Sequence, residues 1–193
     1  RASNNPTVAA DEYRIYAGAR SLSGNTLGEG GPGGFGWSAS PNDNGLFTQN
    51  EINLINVTTD TFQSQVEDRG QTPGGFASWG GVITFDTDAQ TLWNFDTDSL
   101  PAASESDFLS VALHELAHTL GFGGTNEWRA LTGLINNNPF FGGAQATAAF
   151  GSSVPLQPDR VHWLDGTLST VYGTQIVQEA AMDPTLTQGT RNS

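Results

Sequence analysis

Val111-Ala112-Leu113-His114-Glu115-Leu116-Ala117-His118-Thr119-Leu120-Gly121-Phe122 is the stretch on which the reading of all 193 residues turns. His114 and His118 stand four apart, so on an α-helix both imidazoles project from one face, one turn apart, and can reach a single metal ion. Glu115 sits on the flank of that face, where a carboxylate can take a proton from water without itself ligating. Upstream, Ser104 with Asp107 has capping-box spacing and Ser106 is a second candidate N-cap. Leu109, Leu113, Leu116 and Leu120 recur at helical spacing, with Phe108 and Ala112 beside them, and this stripe is expected to face the core. Gly121 stands where a helix ends in positive φ, and Phe122 is the apolar residue that closes such a cap.

The inventory sharpens the reading. There are 3 histidines and 1 methionine in the chain. Two of the histidines are already in ligand spacing. A catalytic zinc takes three protein ligands and keeps one position open, which makes His162 the natural third.

His-Glu-x-x-His-x-x-Gly, followed by a distant histidine and then a methionine, resembles the metzincin clan of zinc peptidases. Compact metzincins place the third ligand three residues after the glycine, where this chain has Gly124. The leishmanolysin branch is the better likeness, since it inserts a long segment before a His-Trp pair, matching His162-Trp163 here. The chain is also similar to exported bacterial proteins with this layout. The likeness to those runs through Asp11-Glu12-Tyr13, Gly28 to Gly34, Trp79-Gly80-Gly81, Phe85-Asp86-Thr87-Asp88 and Met182-Asp183-Pro184.

The resemblance implies an α+β, metzincin-like zincin fold: a twisted mixed sheet packed on the active-site helix, with a C-terminal subdomain carrying the Met-turn. Residues 1–193 would form one catalytic domain, about 1–121 with the zinc helix and about 122–193 with the third ligand. Met182 would be the Met-turn residue, and Pro184 and Thr185 would line the primed-side pocket. In metzincins an edge strand just before the zinc helix pairs with extended substrate. Gly81, Val82 and Ile83 are the candidates, an ordinary internal strand being the alternative. Some metzincins carry a tyrosine two residues after the methionine, where this chain has Pro184. The resemblance further implies a secreted or cell-surface, extracellular product of a longer precursor, with the terminal helices of that precursor lying outside this chain. A monomer acting on protein or peptide substrates is expected.

Elsewhere, alternation from Asp11 to Ala19 predicts a strand. Gly28-Glu29-Gly30-Gly31-Pro32-Gly33 matches Gly-x-Gly-x-x-Gly, but no helix opens after it, so a nucleotide site is rejected. The stretch from 24 to 36 is expected to be a tight surface loop, its carbonyls available to calcium. Thr48-Gln49-Asn50-Glu51 predicts a capped helix reaching about Arg69, broken near Val57 to Thr61 where β-branched residues gather. Gly70 to Gly75 reads as turn, and the stretch from Trp79 to Phe85 as strand. Asp86 and Asp88, in a motif repeated at Phe95-Asp96-Thr97-Asp98, are candidate calcium ligands; with Trp93 they resemble a calcium-binding stretch of matrix metallopeptidases. Solvated turns are the alternative. In the insertion, Glu127 to Leu134 and Ala144 to Phe150 are expected to be short helices separated by a turn at Asn136 to Pro139.

Charge and composition exclude some functions. The net charge of −13, with 7 basic against 20 acidic residues, disfavours nucleic acid and anionic membrane. No run approaches a membrane span, and the absence of cysteine rules out disulfides within the chain. Two other readings stay open. One is a zinc enzyme of the class in which a downstream glutamate, Glu127 or Glu179, is the third ligand. The other is a calcium-stabilised extracellular binding or surface module with a latent or inactive zinc site.

Overall fold

The computed structural model describes residues 8–9, 11–33, 47–62, 79–171 and 173–192. It is a mixed α+β architecture, with four helices and several small sheets among those residues. Three strands form the sheet beside the histidine helix: β1 (Arg14–Arg20), β2 (Gly28–Pro32) and β3 (Gly80–Asp86), in the order β1-β3-β2. β1 runs parallel to β3, and β2 runs antiparallel to it with Gly30 opposite Ile83.

Two expectations change here. The glycine-rich stretch is a strand and not a loop over Gly28–Pro32, because its backbone completes the ladder with β3. β3 is the central strand and not the edge, since its backbone is paired on both sides. Gly81 serves packing: a Cβ there would lie 2.6 Å from Thr119 Cβ on the neighbouring helix. Ile83 is buried, and Val82 is exposed away from the cleft described below.

Between β2 and β3 lies α1 (Gln49–Phe62), opened by the expected capping box. The Thr48 amide donates to Glu51 Oε2 at 2.7 Å and the Glu51 amide donates back to Thr48 Oγ1. The helix runs unbroken through Val57 to Thr61, and the Thr58 and Thr59 hydroxyls bond back to the Leu54 and Ile55 carbonyls, which accommodates their branching. Its expected continuation to Arg69, the turn over Gly70 to Gly75 and residues 34–36 lie outside the described residues.

β4 (Trp93–Asn94) pairs in parallel with β5 (Ser106–Asp107), and the histidine helix α2 (Phe108–Thr119) starts at once. Extended backbone therefore reaches Asp107, and Asp107 is the N-cap in place of Ser104 or Ser106: its carboxylate accepts from the Ser110 amide at 2.9 Å. The other end is as expected. Gly121 has φ 106°, its amide bonds to the His118 carbonyl, and the Phe122 amide bonds to the Ala117 carbonyl, the paired pattern of a Schellman cap.

The leucine stripe does not define the packed face. Leu113 and Leu120 are exposed, whereas Val111, Glu115 and Thr119 are buried on the side facing β2 and β3, and His118 is buried beside the other two histidines. That side is packed by small residues and glycines, so its hydrophobicity understates its burial.

Past α2 come α3 (Asn126–Ala130), the hairpin β6 (Thr132–Ile135) and β7 (Asn138–Phe141), α4 (Ala144–Phe150) and β8 (Val154–Pro155). The expected helix from Glu127 to Leu134 is thus helix only through Ala130. Asn136 and Asn137, at φ 52° and 65°, make the two-residue turn that forces Thr132–Ile135 into a strand. Trp128, Phe141 and Leu156 form a buried core, packed by Phe122 and Trp163. Trp128 stacks on Phe141 at 4.0 Å and Phe122 meets Trp163 edge-on at 4.8 Å. Phe122 follows the helix that carries His118 and Trp163 follows His162, so this contact clamps two histidine-bearing segments together. β9 (Leu168–Thr170) and β10 (Val177–Glu179) form a last hairpin before Met182.

Arg191 returns the chain to the start of α2. Its guanidinium donates to Asp107 Oδ1 at 2.7 Å and to the Asp96 and Thr97 carbonyls, and Asp107 is fully buried. Burial raises the Asp107 pKa, but the Arg191 and Ser110 hydrogen bonds outweigh it and hold the group below its ordinary 3.8. The pair therefore stabilises the fold at neutral pH and loses that contribution as pH falls below about 4 and through the folded-state pKa. Arg191→Ala leaves a buried carboxylate without its cation and is expected to cost about 3 to 5 kcal/mol in urea unfolding at pH 7. The deficit should shrink on acidification.

Candidate metal centre and cleft

The structure brings His114, His118 and His162 together. His118 Nε2 lies 3.1 Å from His114 Nε2 and 3.2 Å from His162 Nε2. All three ligand atoms lie within 4.8 Å of one another, and among the described residues this is the one group of three or more histidine or carboxylate side chains close enough to share an ion. Glu127 and Glu179 do not join it; Glu179 Oε1 is engaged by the Thr187 hydroxyl.

Each ring is held from behind. His114 Nδ1 faces the Ala181 carbonyl at 2.8 Å and His118 Nδ1 the Phe122 carbonyl at 2.9 Å. A carbonyl only accepts, so both Nδ1 atoms carry the proton and both Nε2 atoms present bare lone pairs. His162 Nδ1 faces Asp159 Oδ2 at 3.0 Å, which selects the same tautomer. Burial, then the neighbouring His118, pushes the His114 pKa down to about 4, and burial also lowers that of His118.

Three Nε2 atoms thus converge, those of His114 and His118 as lone pairs, an arrangement that attracts a cation to its centre. A tetrahedral ion with imidazole nitrogens at about 2.0–2.1 Å spaces those nitrogens roughly 3.3 Å apart, close to the separations of His118 Nε2 from the other two rings. The three histidines therefore lie close enough to hold a metal ion.

Asp159 is the residue the sequence reading missed. Its Oδ1 accepts the Val161 amide at 2.7 Å while Oδ2 takes the His162 ring, so one carboxylate shapes the turn and aims the ligand. Arg160 between them sits at φ 60°, its carbonyl bonded by Trp128 Nε1 at 2.8 Å. Burial raises the Asp159 pKa, but the Val161 amide and the His162 ring together hold it below the ordinary value. The Pro158-Asp159 pair, a turn signal three residues before the ligand, was the clue available. Asp159→Asn keeps an acceptor for the turn but loses the charge. It is expected to weaken metal affinity roughly 10- to 100-fold in a chelator competition titration.

Glu115 is 6% exposed, and its carboxylate makes no hydrogen bond to the described residues. Burial, then the charge of Glu29, raises its pKa to about 7 in the metal-free site. It lies on the floor of a cleft of about 790 Å³, walled by Leu27, Val111 and Leu186 and open to the histidines. Pro184 and Thr185 line this cleft; Gly81, Val82 and Ile83 do not. Their place is taken by Gly28, Glu29 and Gly30 of β2, whose outer edge is unpaired among the described residues.

Met182 is 5% exposed, in a tight turn where the Asp183 amide donates to the Ala180 carbonyl, and its own carbonyl accepts the Trp163 amide. This turn delivers the Ala181 carbonyl that holds His114. Asp86 and Asp88 act in turns: Asp86 accepts the Leu22 amide and the Thr91 hydroxyl, and Asp88 accepts the Gln90 amide. No helix among the described residues is long and apolar enough to cross a membrane.

The chain matches no protein-family model, no curated protein and no solved structure.

Proposed function

We propose that this chain is a zinc-dependent endopeptidase of metzincin type, with His114, His118 and His162 as ligands and Glu115 as general base. The observation that carries the reading is the convergence of three imidazole Nε2 atoms beside a buried carboxylate in an open cleft. An all-imidazole set of three donors facing an open cleft suits zinc. The three histidines would hold the zinc, which would supply a water of pKa about 7, down from about 15.7, and a Lewis acid for the carbonyl.

The chain's own groups do the rest. Glu115 takes the proton of the attacking water and delivers it to the leaving amine, a role for which its place in the cleft beside the histidines fits it. The outer edge of β2 offers backbone donors and acceptors to an extended peptide, which pairs there as an added strand. Pro184, Thr185 and Leu186 receive the side chain that follows the scissile bond. The Asp159, Ala181 and Phe122 acceptors keep the imidazoles aimed, so little reorganisation accompanies binding.

Metal analysis of the purified chain tests the first half of this reading. One zinc per chain is expected, removed by a chelator and restored by added zinc. Zinc retained in a His114→Ala, His118→Ala double variant would contradict it.

A further inference from the structure

Strand β2 is the odd element of the site, because glycine weakens a strand and yet three of its five residues are glycine. The reason lies underneath it. A Cβ built at Gly28 falls 2.7 Å from Glu115 Oε1, 2.8 Å from Glu115 Cγ and 2.9 Å from Val111 Cγ1. At Gly30 it falls 2.5 Å from the Glu115 carbonyl oxygen, 2.8 Å from Oε2 and 2.9 Å from Cβ. Ordinary contact begins at 3.4 Å. Positions 28 and 30 share one face of the strand, and that face lies flat on Glu115.

We propose that Gly28 and Gly30 are positioning residues whose bare backbone sets where the Glu115 carboxylate stands. The inference rests on Glu115 being the general base. Its two halves differ in kind. A methyl at Gly28 meets the free end of the Glu115 side chain, which must swing aside. At Gly30 it meets the helix main chain, which cannot swing, so the strand must lift and take the cleft rim with it. Misplacing a catalytic group by about 1 Å can cost roughly 100-fold in rate. The nearest atoms to either methyl belong to Glu115 and Val111 and not to a histidine.

The test compares Gly28→Ala and Gly30→Ala with Gly18→Ala, a β1 glycine whose Cβ would meet nothing within 4 Å. Zinc affinity is read by chelator competition, kcat and KM on fluorescein-labelled casein, and the Glu115 carboxyl carbon resonance by NMR on the metal-free chain. Gly28→Ala should move the carboxyl resonance and lower kcat roughly 10- to 100-fold, with KM and zinc affinity within threefold of the parent. Gly30→Ala should lower kcat and also raise KM, and Gly18→Ala should change neither. In a Glu115→Ala background, where the Cγ and carboxylate that the methyl meets are both gone, the Gly28→Ala penalty on the residual turnover should fall below twofold. A Gly28→Ala chain with the parental resonance and kcat, or with an equal penalty in the Glu115→Ala background, would overturn the proposal. A parent that binds zinc and cleaves nothing contradicts the peptidase reading instead, and the carboxyl resonances then decide the positioning claim alone.

Discussion

Glu115→Ala is expected to bind zinc as the parent does and to lose turnover by a factor of roughly 100 to 10,000, the usual worth of a general base. That corresponds to about 2.7 to 5.4 kcal/mol of transition-state stabilisation. The separation of the two effects follows from the geometry. The three imidazoles are held by Ala181, Phe122 and Asp159, none of which depends on the Glu115 carboxylate. Glu115→Gln, which fills the same space under Gly28 and Gly30, should lose comparable activity; a loss confined to Ala would point to the cavity and not to the missing base. Zinc content and casein turnover, measured on the same preparations, check both variants.

His162→Ala carries the largest expected effect on the metal. Removing a supporting residue of a metal ligand costs 10- to 100-fold in affinity, so removing the ligand itself should cost more than about 100-fold. The consequence extends to stability, because an ion that binds only the folded chain adds about 2.7 kcal/mol when its free concentration is 100 times its Kd. The parent's melting temperature should therefore rise with zinc, and that of His162→Ala should not rise at the same concentrations. An undiminished rise would remove His162 from the ligand set and reopen the search for the third donor.

Much of the histidine cluster is legible in the sequence, because its logic is local or arithmetical. His114 and His118 announce themselves by helical spacing, and His162 by being the one histidine left. Gly121 and Phe122 were legible because a Schellman cap is written in consecutive residues. What was hidden depends on partners distant in sequence. Asp107 was passed over as N-cap because local capping-box spacing favoured Ser104, while the Arg191 that fastens it lies 84 residues away.

The sheet was misread for a related reason. Period-two alternation identifies a strand but not its neighbours, so β3 read as an edge until β1 and β2 were found on either side. β2 read as a loop because glycine is a poor strand former. Its glycines answer to the close approach of Glu115, which no property of the strand's own sequence reveals. The leucine stripe misled because hydrophobic periodicity ranks faces by side-chain character, whereas α2 turns Val111, Glu115 and Thr119 toward the glycines of the sheet.

Digestion of a diverse peptide library by the purified, zinc-loaded chain, read by mass spectrometry beside a chelated sample and the Glu115→Ala variant, tests the central claim most directly. Internal cleavage of peptides in the untreated parent alone is the predicted result, and the residues flanking the cut would give the preferences of the cleft. No cleavage by a parent carrying one zinc per chain, or equal cleavage in all three samples, would contradict it.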